Sequence, residues 1–98
     1  MPKLCVMTTS TIPTHKLSDC QQRTIEARKK YPRDGEGGTI LTYVAKRSDE
    51  GIKTVFIVQP SEGKLEAEYR LQTDRQMMYN DIEGYESAVE VWANHMSD

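Results

Sequence analysis

The stretch Gly51-Ile52-Lys53-Thr54-Val55-Phe56-Ile57-Val58-Gln59-Pro60 decides how the rest of the chain can be arranged. Its centre, Val55-Phe56-Ile57-Val58, is a run of four apolar residues, three of them β-branched, between a glycine and a proline. A run that short and that apolar reads as a strand buried on both faces, near the middle of a sheet. Just upstream, Thr39 to Arg47 alternates, with Ile40, Thr42 and Val44 on one side and Leu41, Tyr43 and Ala45 on the other. Ser48-Asp49-Glu50-Gly51 is a short polar turn, so the two strands are expected to form an antiparallel hairpin.

Working outward toward the amino terminus, Leu4 to Ile12 suits a strand, apolar at first (Leu4, Cys5, Val6, Met7) and then rich in threonine and serine. Pro13 ends it. From His15 to about Tyr31 the period changes to three and four, through Leu17, Cys20, Thr24, Ala27 and Tyr31, which predicts an amphipathic helix. Ser18 (with Gln21) and Thr14 are alternative caps. Arg28-Lys29-Lys30 falls where cations complement the negative end of the helix dipole. Asp34-Gly35 and Gly37-Gly38 supply turn chemistry. Because these glycines follow a helix and lead into a strand, they do not fit a phosphate loop, which runs from strand to helix.

Toward the carboxyl terminus, Ser61 can cap a helix over Lys64 to about Ile82, a stretch with no glycine or proline. Leu65, Ala67, Tyr69 and Leu71 also alternate, as a strand would. The glutamates and the lack of β-branched residues from Lys64 to Arg70 favour helix. Two stripes compete to be its buried face: Leu65, Tyr69, Gln72, Gln76 and Tyr79, or Ala67, Leu71, Met78 and Ile82. An unpaired buried amide costs about 1–3 kcal/mol, which favours the second stripe and leaves the glutamines in water. Glu83-Gly84 reads as a turn and Tyr85 to Ala93 as the last strand. Asn94 to Asp98 is expected to fray.

The length of 98 residues suits one domain spanning 1–98 with one core. Thirteen basic and fifteen acidic residues give a formal charge of −2, which argues against a general nucleic-acid binder. Met1-Pro2-Lys3-Leu4 lacks the apolar core of a signal peptide, and no later stretch would span a bilayer. A cytoplasmic protein with no membrane partner is therefore expected. Cys5 and Cys20 match no metal-ligand spacing and read as small buried hydrophobes. No metal or cofactor is expected.

The order strand, helix, strand, strand, helix, strand predicts an α+β fold of the ferredoxin-like βαββαβ kind. It has a four-stranded antiparallel sheet with both helices on one face. Two helices cannot cover both sides of Val55-Phe56-Ile57-Val58. An apolar sheet face left bare would measure several hundred Å2, the size that marks an interaction surface. Two copies packed sheet to sheet, about 10 Å apart, would cover it. Tyr43, Phe56 and Trp92 are the expected anchors of that homodimer.

Ile12-Pro13-Thr14-His15-Lys16, Glu62-Gly63-Lys64-Leu65-Glu66 and Asp81-Ile82-Glu83-Gly84-Tyr85-Glu86, with Val89-Glu90-Val91-Trp92 after them, resemble segments of a group of small uncharacterised archaeal proteins. These are similar in layout to the dimeric α/β-barrel superfamily. The resemblance implies a fold and a dimer but no reaction, since that superfamily spans heme-dependent enzymes, cofactor-free monooxygenases, isomerases and proteins of unknown role. It also implies that the Leu65/Tyr69/Tyr79 stripe faces the core, which would bury Gln72 and Gln76.

In that rotation Tyr69, Gln72, Gln76 and Tyr79 form a polar patch between helix and sheet able to hold a small apolar or aromatic ligand. His15 is the one candidate general base, although the sequence places no serine, cysteine or acid to work with it. Two function classes follow: a non-catalytic ligand-binding or interaction module, and a cofactor-independent enzyme of monooxygenase or isomerase type. An RNA-recognition module shares the element order but stacks bases on aromatics of the two central strands, where this chain offers only Phe56. A metallochaperone of this shape needs a Cys-x-x-Cys loop, and there is none.

Overall fold

A computed structural model describes residues 2–33 and 38–97. Strand β1 (Lys3–Ile12) leads through a 3-10 turn (Thr14–Lys16) into helix α1 (Leu17–Lys30). The hairpin β2 (Gly38–Ser48) and β3 (Gly51–Pro60) follows, then helix α2 (Leu65–Met77), strand β4 (Glu86–Asn94) and a 3-10 turn (His95–Ser97). All strand pairs are antiparallel, in the order β2-β3-β1-β4. This is the ferredoxin-like βαββαβ arrangement, with β3 and β1 in the middle. The expected turn at 34–37 lies outside the described residues. One expectation is corrected: the second helix ends at Met77, with Met78 to Ile82 in successive turns. His95–Ser97 forms a 3-10 turn, with Met96 93% exposed.

The caps differ from the sequence expectation as well. Neither helix has a side-chain cap at its N-terminus; Lys16 and Lys64 occupy the cap positions. The Ser61 carbonyl receives the Lys64 N–H at 2.9 Å. The hairpin turns at Asp49-Glu50, with the Ser48 hydroxyl donating to the Gly51 carbonyl at 3.0 Å. Gly51 has φ +133°, and a Cβ there would lie 2.0 Å from the Ile12 carbonyl oxygen, so only glycine fits where β3 begins beside β1.

Pairing fixes which side chains share a face. Val6, Thr8, Ser10 and Ile12 of β1 align with Val58, Phe56, Thr54 and Ile52 of β3 on the helix side. Val6 and Val58, each 1% exposed, are the most buried positions of that layer. The opposite face carries Cys5, Met7, Thr9 and Thr11, Val55 and Ile57, and Ala88, Glu90 and Trp92. No element among the described residues covers it, and the Cα extents of 43 × 28 × 16 Å are those of a sheet with one layer of helices.

A β-bulge changes the reading of β2. Ile40 pairs with Val58 but Thr42 pairs with Ile57, so Leu41 is the extra residue. Beyond it the alternation is shifted by one: Tyr43 pairs with Phe56 on the helix side, while Thr42 and Val44 go to the free face. A period-two pattern cannot show an inserted residue, and a one-residue shift moves every later side chain to the other face.

The helices divide the core into two parts. α2 lies over β1, β4 and β3. α1 instead packs against the turns after α2, where Cys20 joins Tyr79 and Ile82 in a buried cluster flanked by Ile12 and Tyr85. Arg23 ties α1 to the same turns through the Met78 carbonyl and the Asp81 carboxylate. Held this way, α1 leaves a gap above β3 and β2.

Candidate ligand cavity between sheet and helices

That gap is a cavity of about 110 Å3. Thr8 and Ser10 of β1, Thr54 and Phe56 of β3 and Tyr43 of β2 form its floor. Thr24, Ala27 and Arg28 enter from α1, Gln72, Arg75 and Gln76 from α2, and Tyr79 and Tyr85 from the segment after it. The Tyr43 and Phe56 rings meet edge to face at 5.1 Å, and Tyr79 and Tyr85 stack at 4.4 Å with their planes 11° apart. Two aromatic pairs thus frame a space lined elsewhere by hydroxyls, amides and guanidiniums, with Ile12 and Ala27 as its other apolar contacts.

α2 turns a polar stripe inward. Gln72 is 2% exposed and Glu68 4%. Their groups satisfy one another: the Gln72 amide donates to Glu68 Oε2 at 2.7 Å, and Thr8 Oγ1 donates to Gln72 Oε1 at 3.4 Å. The second Glu68 oxygen accepts from Arg33. Gln76 Oε1 accepts from the Tyr85 hydroxyl. The stripe expected to bury Ala67, Leu71, Met78 and Ile82 is therefore not the inner face. The helix can bury Gln72 because the sheet and the helix together offer the partners that the sequence gave no sign of.

The phenols are held as neutral acids. Thr24 gives its single hydroxyl proton to the Cys20 carbonyl at 2.9 Å, so its oxygen accepts from the Tyr79 hydroxyl at 2.6 Å. Burial pushes the Tyr79 and Tyr85 phenols above their ordinary value, and the hydrogen bonds of Tyr79 with Thr24 and of Tyr85 with Ser10 offset this only in part. Burial also lowers the Arg75 guanidinium, aided by repulsion from Arg33 and Arg28. Near neutral pH the described residues that line the cavity offer proton donors and cations, with no carboxylate or imidazole among them.

Of the residues expected at a ligand site, Gln72, Gln76 and Tyr79 line this cavity. Tyr69 does not; it is 41% exposed and lies beside Thr73 and Met77 near β4. Tyr43 and Phe56, expected on the dimer face, lie on the helix side and line the cavity, because of the bulge and of the β1–β3 register. Trp92 is on the free face. His15 is exposed on the 3-10 turn before α1, away from the cavity lining. Cys5 and Cys20 are buried free thiols raised chiefly by burial. No group of three metal-ligating side chains gathers among the described residues.

Sequence reasoning missed Arg28, Arg75 and Tyr85. Arg28 was accounted for by the helix dipole. The spacing of Gln72, Arg75, Gln76 and Tyr79, at i, i+3, i+4 and i+7, would have placed Arg75 on the same helix face.

Neither a protein-family model nor a curated protein matches this chain. Among solved structures, the chain is similar to one described as "De novo designed protein Foldit4", with a TM-score of 0.58 and 10% identity over 94% of this chain and 98% of that one. It is also similar to a "putative antibiotic biosynthesis monooxygenase" from Caulobacter crescentus, with a TM-score of 0.56 and 15% identity over 95% of this chain and 91% of that one. A protein of the same description from Nitrosomonas europaea gives a TM-score of 0.54 and 12% identity over 97% and 93%. Likeness at these identities establishes the ferredoxin-like fold. A shared fold by itself assigns no activity. No helix among the described residues is long and apolar enough to cross a membrane.

Proposed function

We propose that the protein is a small-molecule-binding module that receives an aromatic ligand in the cavity between its sheet and helices. The supporting observation is the pairing of two aromatic frames, Tyr43/Phe56 and Tyr79/Tyr85, around the inward-turned Gln72 and Gln76. Native mass spectrometry of the purified protein tests this, since it reports a co-purified ligand and the oligomeric state together. A ligand of aromatic composition that is lost on substituting Ala27→Leu, which fills the cavity from α1, is the expected result. Ligand retention by that variant sinks the assignment.

A second reading, a cofactor-independent enzyme of monooxygenase or isomerase type, draws support from the descriptions of the two bacterial neighbours. It requires a base to ionise the substrate, and the buried phenols hold their protons at neutral pH while His15 lies outside the cavity. Oxygen uptake with a hydroquinone, in the absence of any added cofactor, would decide for the enzyme.

The free sheet face supports pairing of two copies into a dimeric α/β barrel. Met7, Val44, Val55, Ile57 and Trp92 give it an apolar surface, with Val44 56% and Trp92 52% exposed. Lys46, Lys53, Thr11 and Glu86 form one row across the sheet, basic at the β2 edge and acidic at the β4 edge. A two-fold axis parallel to the strands sets Lys46 against the partner subunit's Glu86. Sedimentation should show a dimer weakened by Lys46→Glu and restored by adding Glu86→Lys. A monomer at micromolar concentration rules the pairing out.

A further inference from the structure

Arg28 and Arg75 line the cavity from α1 and α2. Arg33 stands one ring away, its guanidinium 5.7 Å from the centroid of Phe56 on the cavity floor. Arg75 is close enough to both that their charge helps to lower its pKa. Among the described residues one carboxylate answers these three cations: Glu68, paired with Arg33. Neither Arg28 nor Arg75 takes part in an ion pair among those residues. The other Glu68 oxygen is taken by Gln72.

The guanidinium donors are also incompletely used. Arg75 gives its Nε–H to the Tyr31 carbonyl at 3.0 Å, which leaves its two terminal amino groups without a hydrogen-bond partner among the described residues. Arg33 Nη2 is buried with no hydrogen-bond partner among the described residues. Like charges gathered at a partly buried cavity wall, with donors left over, make a site whose missing component is an anion. A guanidinium fork matches the planar geometry of a carboxylate in particular.

Size limits the rest of the ligand. A dry apolar cavity of about 150 Å3 takes up benzene, and the space here, about 110 Å3, limits a ligand to a single ring. We infer that the cavity takes a single aromatic ring bearing a carboxylate, the ring between the two aromatic pairs and the carboxylate on Arg75 and Arg28. This rests on the ligand-binding reading given above and adds to it the charge and the size of the ligand.

Titration calorimetry with benzoate, benzamide and phenyl phosphate at low ionic strength tests both statements separately. Benzoate should bind about tenfold more tightly than benzamide, as expected for one charge-assisted contact. Arg28→Gln, a change at an exposed position, should cost benzoate about tenfold in affinity and benzamide clearly less. Arg75→Gln should do the same or more, and Arg28→Gln decides the matter if that variant does not fold. Equal affinities for benzoate and benzamide overturn the carboxylate while leaving an aromatic site. Benzoate binding untouched by either substitution overturns the arginine assignment. Tighter binding of phenyl phosphate than of benzoate overturns the planar carboxylate. Binding of none of the three overturns the ligand-binding reading itself.

Discussion

α1 turns Cys20 and Ala27 inward, whereas α2 turns Glu68 and Gln72 inward, and both helices lie on the same side of one sheet. α1 is buried by shape: small apolar side chains let it settle on the turns after α2, with no need of polar partners. α2 is buried by satisfied chemistry, since each inward polar group has a designated partner on β1, on Arg33 or within the helix itself. An apolar helix face is held by area, and many substitutions can keep it. A polar one is held by a few directional bonds, so losing one member leaves the others stranded.

The largest effect that separates the two helices is expected from Glu68→Ala. It strands Arg33 and the Gln72 amide together and should cost about 2 kcal/mol in urea unfolding. That is below the usual cost of breaking a buried ion pair, because Arg33 keeps 23% of its side-chain surface exposed. A loss no greater than that of Ala27→Gly would erase the distinction between the helices. The comparison is fair because Ala27 is also buried, at 2% exposure.

A smaller effect is expected where the helices meet. Tyr79→Phe removes the donation to Thr24 and should cost about 1 kcal/mol. Alkaline titration sharpens this. The folded phenols of Tyr79 and Tyr85 sit above the ordinary value of about 10, so the stability they contribute is complete below that pH and is lost as pH rises through the folded values. Phenolate absorbance should therefore show part of the tyrosine signal withheld until the protein unfolds. A single titration of all five tyrosines near the ordinary value would show that these two are not held neutral.

The smallest effect belongs to the exposed tie between α1 and the turn after α2. Arg23 beside it holds the Asp81 carboxyl below the ordinary aspartate range. The contribution is present in full above the ordinary aspartate value of about 3.9 and is lost as pH falls through the lower folded value. Asp81→Asn should lower stability slightly at neutral pH and flatten the acid limb of a urea-midpoint profile. An unchanged acid limb would mean that the pair contributes nothing to stability there.

The same contrast explains what could be read from the chain. The α1 face was legible at Cys20, Thr24 and Ala27, because apolar and small residues recur at helical spacing and need no partner to be recognised. The inner face of α2 was not legible. Gln72 and Glu68 read as solvent residues until Thr8, sixty-four positions away, and Arg33 supply hydrogen bonds. For the same reason the lining of the cavity was half visible: Gln72, Gln76 and Tyr79 share a stripe, whereas Tyr69 lies off the cavity and Tyr85 reaches Gln76 only after the chain turns back. Tyr43 and Phe56 were legible as important aromatics, but not on the correct face.

By itself the sequence determined the element order, the antiparallel hairpin at Asp49-Glu50 and the central position of β3. Each follows from local signals: a short apolar run, a polar turn, and a change of period. It also determined that one sheet face would lack cover, since two helices can screen only one side. Tertiary structure alone decided which side chains share a face beyond the Leu41 bulge, and which polar groups on α2 could afford burial. A bulge is a property of two paired strands, and a satisfied amide is a property of two groups brought together. Neither exists in any window of the chain taken alone.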